Sequence, residues 1–166
     1  MTATTAIAAL KERGWTCATC ESLTGGLICA TLVNVPGASA VVRGGLVTYQ
    51  TDTKTLLAGV PAELIDAHGV VSAPVARAMA EGTRIRLGVD VAVSATGLAG
   101  PDGGTPDCPV GTVFIGVSTA EETKALHLVL TGDRASVRQQ TVERAIEAIT
   151  EAVNTSWKPL NQTKHQ

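Results

Sequence analysis

Three residues able to carry acyl-transfer chemistry stand in two short segments: Ser22 in Cys20-Glu21-Ser22-Leu23-Thr24-Gly25-Gly26, and Tyr49 with Lys54 in Tyr49-Gln50-Thr51-Asp52-Thr53-Lys54. A serine hydroxyl is a poor nucleophile at its free pKa and needs a neighbouring base, and a lysine serves when burial holds it neutral. Other bases are few. His68 follows a helix end, His127 lies mid-strand and His165 stands in the C-terminal tail, so a Ser-His-Asp arrangement has no evident imidazole. Tyr49, the only tyrosine, precedes Lys54 by five positions, and a chain reversal between them would bring phenol and amine into one pocket. Taken alone, such a pair is also an ordinary surface feature.

Two further segments suit anions. The glycine-rich stretch 96–104, with Thr96, Gly97 and Gly100, offers backbone N–H groups to cradle an anion or frame a carboxamide. It lacks the spacing of a triphosphate or dinucleotide loop, and a crossover held by Pro101, Pro106 and Pro109 is the competing reading. Gly132-Asp133-Arg134, with Arg138 four residues on, puts two guanidinium groups near an expected helix N-terminus, a seat for a phosphate. The alternative is an Asp133 cap with both arginines in solvent. Among the four cysteines, Cys17 and Cys20 form C-x-x-C, but Cys17 falls inside an apolar strand, which predicts a buried, inert thiol rather than a redox pair. No second C-x-x-C or H-x-x-x-H follows to make a metal site.

The elements that must position these groups follow from periodicity and punctuation. A helix is expected over 2–13 with Gly14 as its stop, then a strand over 15–19. Ser22 would then stand where the strand passes into a helix over 23–33, its hydroxyl sharing one space with the first free helix N–H groups. Gly25 and Gly26 would fall in that first turn at ~1 kcal/mol each against alanine, which calls for close backbone approach. Ser22 as a simple N-cap is the plain alternative. A strand over 40–49 carries Gly44-Gly45 as a bulge or close approach. Helices follow over 51–58, capped by Thr51 or Asp52, over 61–67 and over 72–87. A central strand is expected at 89–94, strands joined by a hairpin at 111–119 and 124–130, and a last amphipathic helix at 135–153. This order reads as an α/β protein, a three-layer α/β/α domain with a mixed β-sheet over 1–155, followed by a polar tail at 156–166.

Composition narrows the partner. The 166 residues are 45% hydrophobic and 17% charged with a net charge of −2, and no apolar run approaches a membrane span. With no basic run and only 2% aromatic residues, the chain has neither a footprint for a polyanion nor a platform for stacked bases. A small molecule is the expected partner, a cytoplasmic location the default, and an exposed edge strand or apolar helix face would suit a homodimer.

Glu21-Ser22-Leu23-Thr24-Gly25-Gly26, Thr48-Tyr49 with Lys54, His68-Gly69-Val70-Val71-Ser72, Ser94-Ala95-Thr96-Gly97-Leu98-Ala99-Gly100-Pro101-Asp102-Gly103-Gly104, Pro109-Val110-Gly111-Thr112-Val113 and Gly132-Asp133-Arg134 occur in one order. In that order they resemble the CinA C-terminal domain family, whose members include the nicotinamide mononucleotide deamidases. The resemblance implies hydrolysis of the nicotinamide carboxamide of a pyridine nucleotide, giving nicotinate mononucleotide and ammonia without cofactor or metal. It assigns Ser22 as nucleophile, Lys54 as general base and Tyr49 as a proton relay or orienting group. Thr24, Gly25, Gly26, Thr96, Gly97, Gly100 and Arg134 would bind substrate, with N–H groups at the start of the second helix stabilising the oxyanion. A non-catalytic nucleotide-binding module built from the same loops is the alternative.

Overall fold

The structure, a computed structural model, describes residues 1–155, so the expected tail at 156–166, with His165, lies outside the described residues. The chain runs α1 (Ala3–Arg13), β1 (Cys17–Glu21), α2 (Leu27–Val33), β2 (Val42–Val47), α3 (Thr51–Ala58), α4 (Ala62–His68) and α5 (Ala73–Leu87). It continues through β3 (Val91–Gly97), β4 (Thr112–Ser118), β5 (Thr123–Val129) and α6 (Arg134–Thr155). The five strands form one mixed sheet in the order β2-β1-β3-β4-β5. β2 and β3 flank β1 in parallel, and β4 and β5 add antiparallel pairs.

One sheet face packs a core that joins Ile7 and Leu10 of α1, Ile28 and Leu32 of α2, and Val142, Ile146 and Ile149 of α6 to Val91 and Val93. The other carries Ala58 of α3, Ile65 of α4 and Val75 and Met79 of α5 against Cys20. These two cores are the outer layers of an α/β/α sandwich. The fit of α5 is close. A Cβ on Gly82 of α5 would overlap the Ala58 carbonyl of α3, and one on Gly116 of β4 would overlap the Ala76 carbonyl of α5.

Local signals explain most boundaries. Thr2 and Thr5 form a reciprocal capping box on α1, and Gly14 ends it in the left-handed region. Ser72 caps α5, with Pro74 in its first turn. The irregularity falls at Arg43, where the register against β1 shifts between Val42 and Gly44, and the close approach is at Gly45, where a Cβ would collide with the Thr19 hydroxyl.

Three expectations are corrected. β1 ends at Glu21 rather than at 19, because the ladder to β3 carries on through Glu21 and Ala95. α2 begins at Leu27, not at 23, and Ser22 is not its cap; Gly25 and Gly26 instead turn the chain with φ of 60° and 99°. Those left-handed angles suit glycine alone, so both are turn residues rather than costly helix residues. The cap of α3 is Gln50 and uses no side chain, in place of Thr51 or Asp52.

Candidate active site

β1 is the strand from which the sheet is wound in two directions: α2 leads to its neighbour β2, and α3, α4 and α5 lead to its other neighbour β3. The carboxyl ends of strands at such a switch point bound a crevice, since the connections leave to opposite faces. A cleft of about 230 Å³ opens there, lined by Ser22 and Leu23 after β1, Tyr49 and Lys54 after β2, and residues Thr96 to Gly100 at the end of β3. Val70, Val71, Asp102 and Arg134 complete its walls.

Ser22 is held by its backbone. Its N–H donates to the Ala95 carbonyl at 2.9 Å, extending the ladder one residue, and its own carbonyl accepts the Gly25 N–H at 3.1 Å. Its hydroxyl meets Lys54 Nζ at 3.2 Å. Lys54, only 2% exposed, comes from the first turns of α3 and also donates to the Thr48 carbonyl at 2.8 Å. Burial costs an ammonium its hydration, and no carboxylate pairs with Lys54 among the described residues, so its pKa is lowered from 10.5. The neighbouring Cys20 acts weakly the other way. A neutral amine so placed can accept the Ser22 proton while the Thr48 carbonyl keeps it oriented. The sequence places these groups 32 residues apart; the parallel pairing of β1 with β2 brings them together.

Tyr49 lines the same cleft as Lys54, as expected, but from its exposed rim. It is 58% exposed, and its hydroxyl accepts a hydrogen bond from Arg134 Nη2 at 3.1 Å. Arg134 Nη1 donates to the Gly100 carbonyl at 2.9 Å. Arg134 therefore ties the glycine loop to Tyr49 rather than standing free for a phosphate, with further N–H groups of the guanidinium left over. Asp133 does cap α6, accepting the Ser136 N–H at 2.8 Å, yet Arg138 is not in solvent: it donates to the carbonyls of Leu23 and Thr24 at 2.9 and 3.2 Å. The Thr96 hydroxyl donates to the Val70 carbonyl at 2.8 Å, joining two walls of the cleft.

The expected oxyanion donors at the start of α2 are occupied. The fully buried Glu21 carboxylate accepts the N–H groups of Gly26 and Ile28 at 3.0 Å each and of Cys29 at 2.8 Å, with the Thr19 hydroxyl at 2.9 Å. The carboxylate fills the anion site that a helix N-terminus provides. The N–H groups of Leu23 and Thr24, directly after the serine, have no acceptor among the described residues. Sequence reasoning saw Glu21 only as part of a motif. The signal was there: a carboxylate at the end of an apolar strand, shortly before a helix, has to find donors or leave the core.

The C-x-x-C pair is buried, Cys17 as expected. Cys17 packs in one core and Cys20 in the other, so the thiols lie on opposite sheet faces; burial pushes Cys17 up to about 12 and raises Cys20 as well. His68 ends α4, and the His127 ring stacks on Phe114 with centroids 4.6 Å apart. Among the described residues no group of His, Cys, Asp or Glu is arranged to hold a metal ion, and no helix is long and apolar enough to cross a membrane.

A family model for the CinA C-terminal domain matches residues 1–153. A CinA-like protein of Gemmatimonas aurantiaca (strain DSM 14586 / JCM 11422 / NBRC 100505 / T-27) is 46% identical over 140 residues, covering 84% of the chain and 33% of that protein. A CinA-like protein of Mycolicibacterium gilvum (strain PYR-GCK) is 49% identical over 142 residues, covering 85% and 34%. The chain thus spans about a third of the length of these curated relatives. A crystal structure of a competence-damaged protein (CinA) superfamily protein from Klebsiella pneumoniae 700603 superposes with a TM-score of 0.89 at 32% identity, covering 93% of this chain and 96% of that one.

Proposed function

The chain belongs to the CinA C-terminal domain family, and from that premise we propose that it is an amidohydrolase that deamidates nicotinamide mononucleotide to nicotinate mononucleotide and ammonia. One observation carries the reading: a buried lysine amine, biased toward its neutral form, lies 3.2 Å from a serine hydroxyl at the mouth of a cleft. Structural lysines seldom accept burial without a carboxylate, because nothing repays the lost hydration.

In this mechanism Ser22 Oγ attacks the carboxamide carbon as its proton passes to Lys54 Nζ. The developing oxyanion is met by the unoccupied N–H groups of Leu23 and Thr24, each worth about 3 kcal/mol where it points at the charge. Collapse breaks the C–N bond, and Lys54 returns the proton to the departing nitrogen, which leaves as ammonia. A water molecule, losing its proton to Lys54, hydrolyses the acyl-Ser22 ester to the carboxylate and restores the hydroxyl. At the rim, the Arg134 N–H groups not spent on Gly100 and Tyr49 would meet the nucleotide phosphate.

The test is incubation with nicotinamide mononucleotide while ammonia and nicotinate mononucleotide are followed together. Ser22→Ala and Lys54→Met are each expected to lower kcat by more than about 10³-fold with the far-UV circular dichroism spectrum unchanged. Full turnover by either variant would remove the mechanism, and saturable binding with no turnover by the unmodified chain would leave a nucleotide-binding module.

A further inference from the structure

We propose that Arg138 is a positioning residue that aims the backbone N–H of Thr24 at the reacting carbonyl, a role that rests on the amidohydrolase reading above. Arg138 Nε donates to the Leu23 carbonyl at 2.9 Å and Nη2 to the Thr24 carbonyl at 3.2 Å, so one planar fork holds two successive peptide units of the turn after Ser22. In a trans peptide the C=O and the following N–H point in opposite directions. Drawing the Leu23 carbonyl toward α6 therefore turns the Thr24 N–H away from α6. The second unit obeys the same rule: the Thr24 carbonyl faces Arg138, while the Gly25 N–H on its far side closes the turn onto the Ser22 carbonyl at 3.1 Å.

The direction away from α6 is the relevant one. α6 packs with the core on one face of the sheet, and α3, which brings Lys54 to the Ser22 hydroxyl, packs with the core on the other. An N–H turned from α6 faces the side from which the amine arrives. Within the turn the Leu27 N–H also holds the Thr24 carbonyl, at 3.1 Å, but among the described residues only Arg138 holds the Leu23 carbonyl, and Gly25 and Gly26, both in the left-handed region, carry no side chain to pack. The N–H groups at the start of α2 cannot substitute, being committed to Glu21. Arg138 thus supplies the restraint from outside the turn. A lysine could reach one carbonyl but not span two with fixed geometry.

The experiment has two independent readouts on Arg138→Ala and Arg138→Lys. In amide hydrogen exchange, Arg138→Ala is expected to speed exchange at Gly25 and Leu27, the hydrogen-bonded amides of the turn, by at least about 10-fold, with the β1 and β3 amides unchanged. With nicotinamide mononucleotide, kcat is expected to fall about 10²-fold at little-changed KM, Arg138→Lys to fall less, and guanidinium at sub-denaturing concentration to restore part of the Arg138→Ala rate. Exchange and kcat both at the unmodified level would overturn the proposal. Loss of kcat in step with KM, or with a general collapse of exchange protection, would also overturn it, as would complete recovery by lysine. If the unmodified chain shows no turnover, the amidohydrolase reading fails by itself, and the exchange experiment still decides whether Arg138 orders the turn.

Discussion

Ser22 and Lys54 show how the candidate site holds an unfavourable group beside a hydroxyl. The amine is held in the core by one carbonyl and one hydroxyl, and burial lowers its pKa from 10.5. Two consequences follow with definite signs. First, kcat/KM should rise with pH through an apparent pKa below the ordinary lysine value, as the base loses its proton; a flat profile over that range would exclude Lys54 from proton transfer. Second, the unfolded chain binds the Lys54 proton more tightly than the folded one. The stability that Lys54 contributes is therefore complete above 10.5 and is lost as pH falls through the lowered folded value. Denaturant titrations should show wild type gaining on Lys54→Met as pH rises toward that limit. The candidate pair was legible because Ser22 stands in a glycine-flanked turn, Lys54 lies close to the only tyrosine, few histidines offer another base, and the family resemblance singles out both. The positions of the phenol and the arginines were not, since a guanidinium satisfies carbonyls as readily as phosphates and spacing alone does not choose.

At the level of elements, the helices were legible from their apolar periodicity and their stop glycines at 14 and 88, whereas the structure makes Thr2 and Ser72 caps rather than first helical residues. The turn after β1 was misread, because Leu23 and Thr24 look helical and the glycines look like interruptions. What decides is the Glu21 carboxylate, which gathers α2's first N–H groups and so fixes where that helix can begin. Residue type shows that a buried strand-end carboxylate needs donors, but not which helix N–H groups will supply them. Glu21→Gln keeps the shape but offers a neutral acceptor and turns an NH₂ toward donors. It should cost about 2–4 kcal/mol, a drop of about 5–15 °C in Tm, measurable by thermal melting. β1 also settles the cysteines: with the thiols on opposite faces, a thiol titration under native conditions should find Cys17 and Cys20 unreactive until unfolding.

On the scale of the molecule, the cleft draws on all three layers: Ser22 and Thr96 from the sheet, Lys54 from α3 on one side, Arg134 and Arg138 from α6 on the other. The layered architecture could be foreseen from the alternation of elements, whereas the spacing between layers could not, since it depends on contacts far apart in the chain. Gly82 shows how sharply that spacing is gauged. Alanine there would favour the helix by ~1 kcal/mol, but its methyl group has to displace the Ala58 carbonyl, one turn beyond Lys54 on α3. Gly82→Ala should therefore lower both Tm and the rate of ammonia release, a result that melting curves and the deamidation assay would show together. On α5, outside the lining of the cleft, a lone hydrogen atom is the shim that leaves room for the α3 backbone to lie this close.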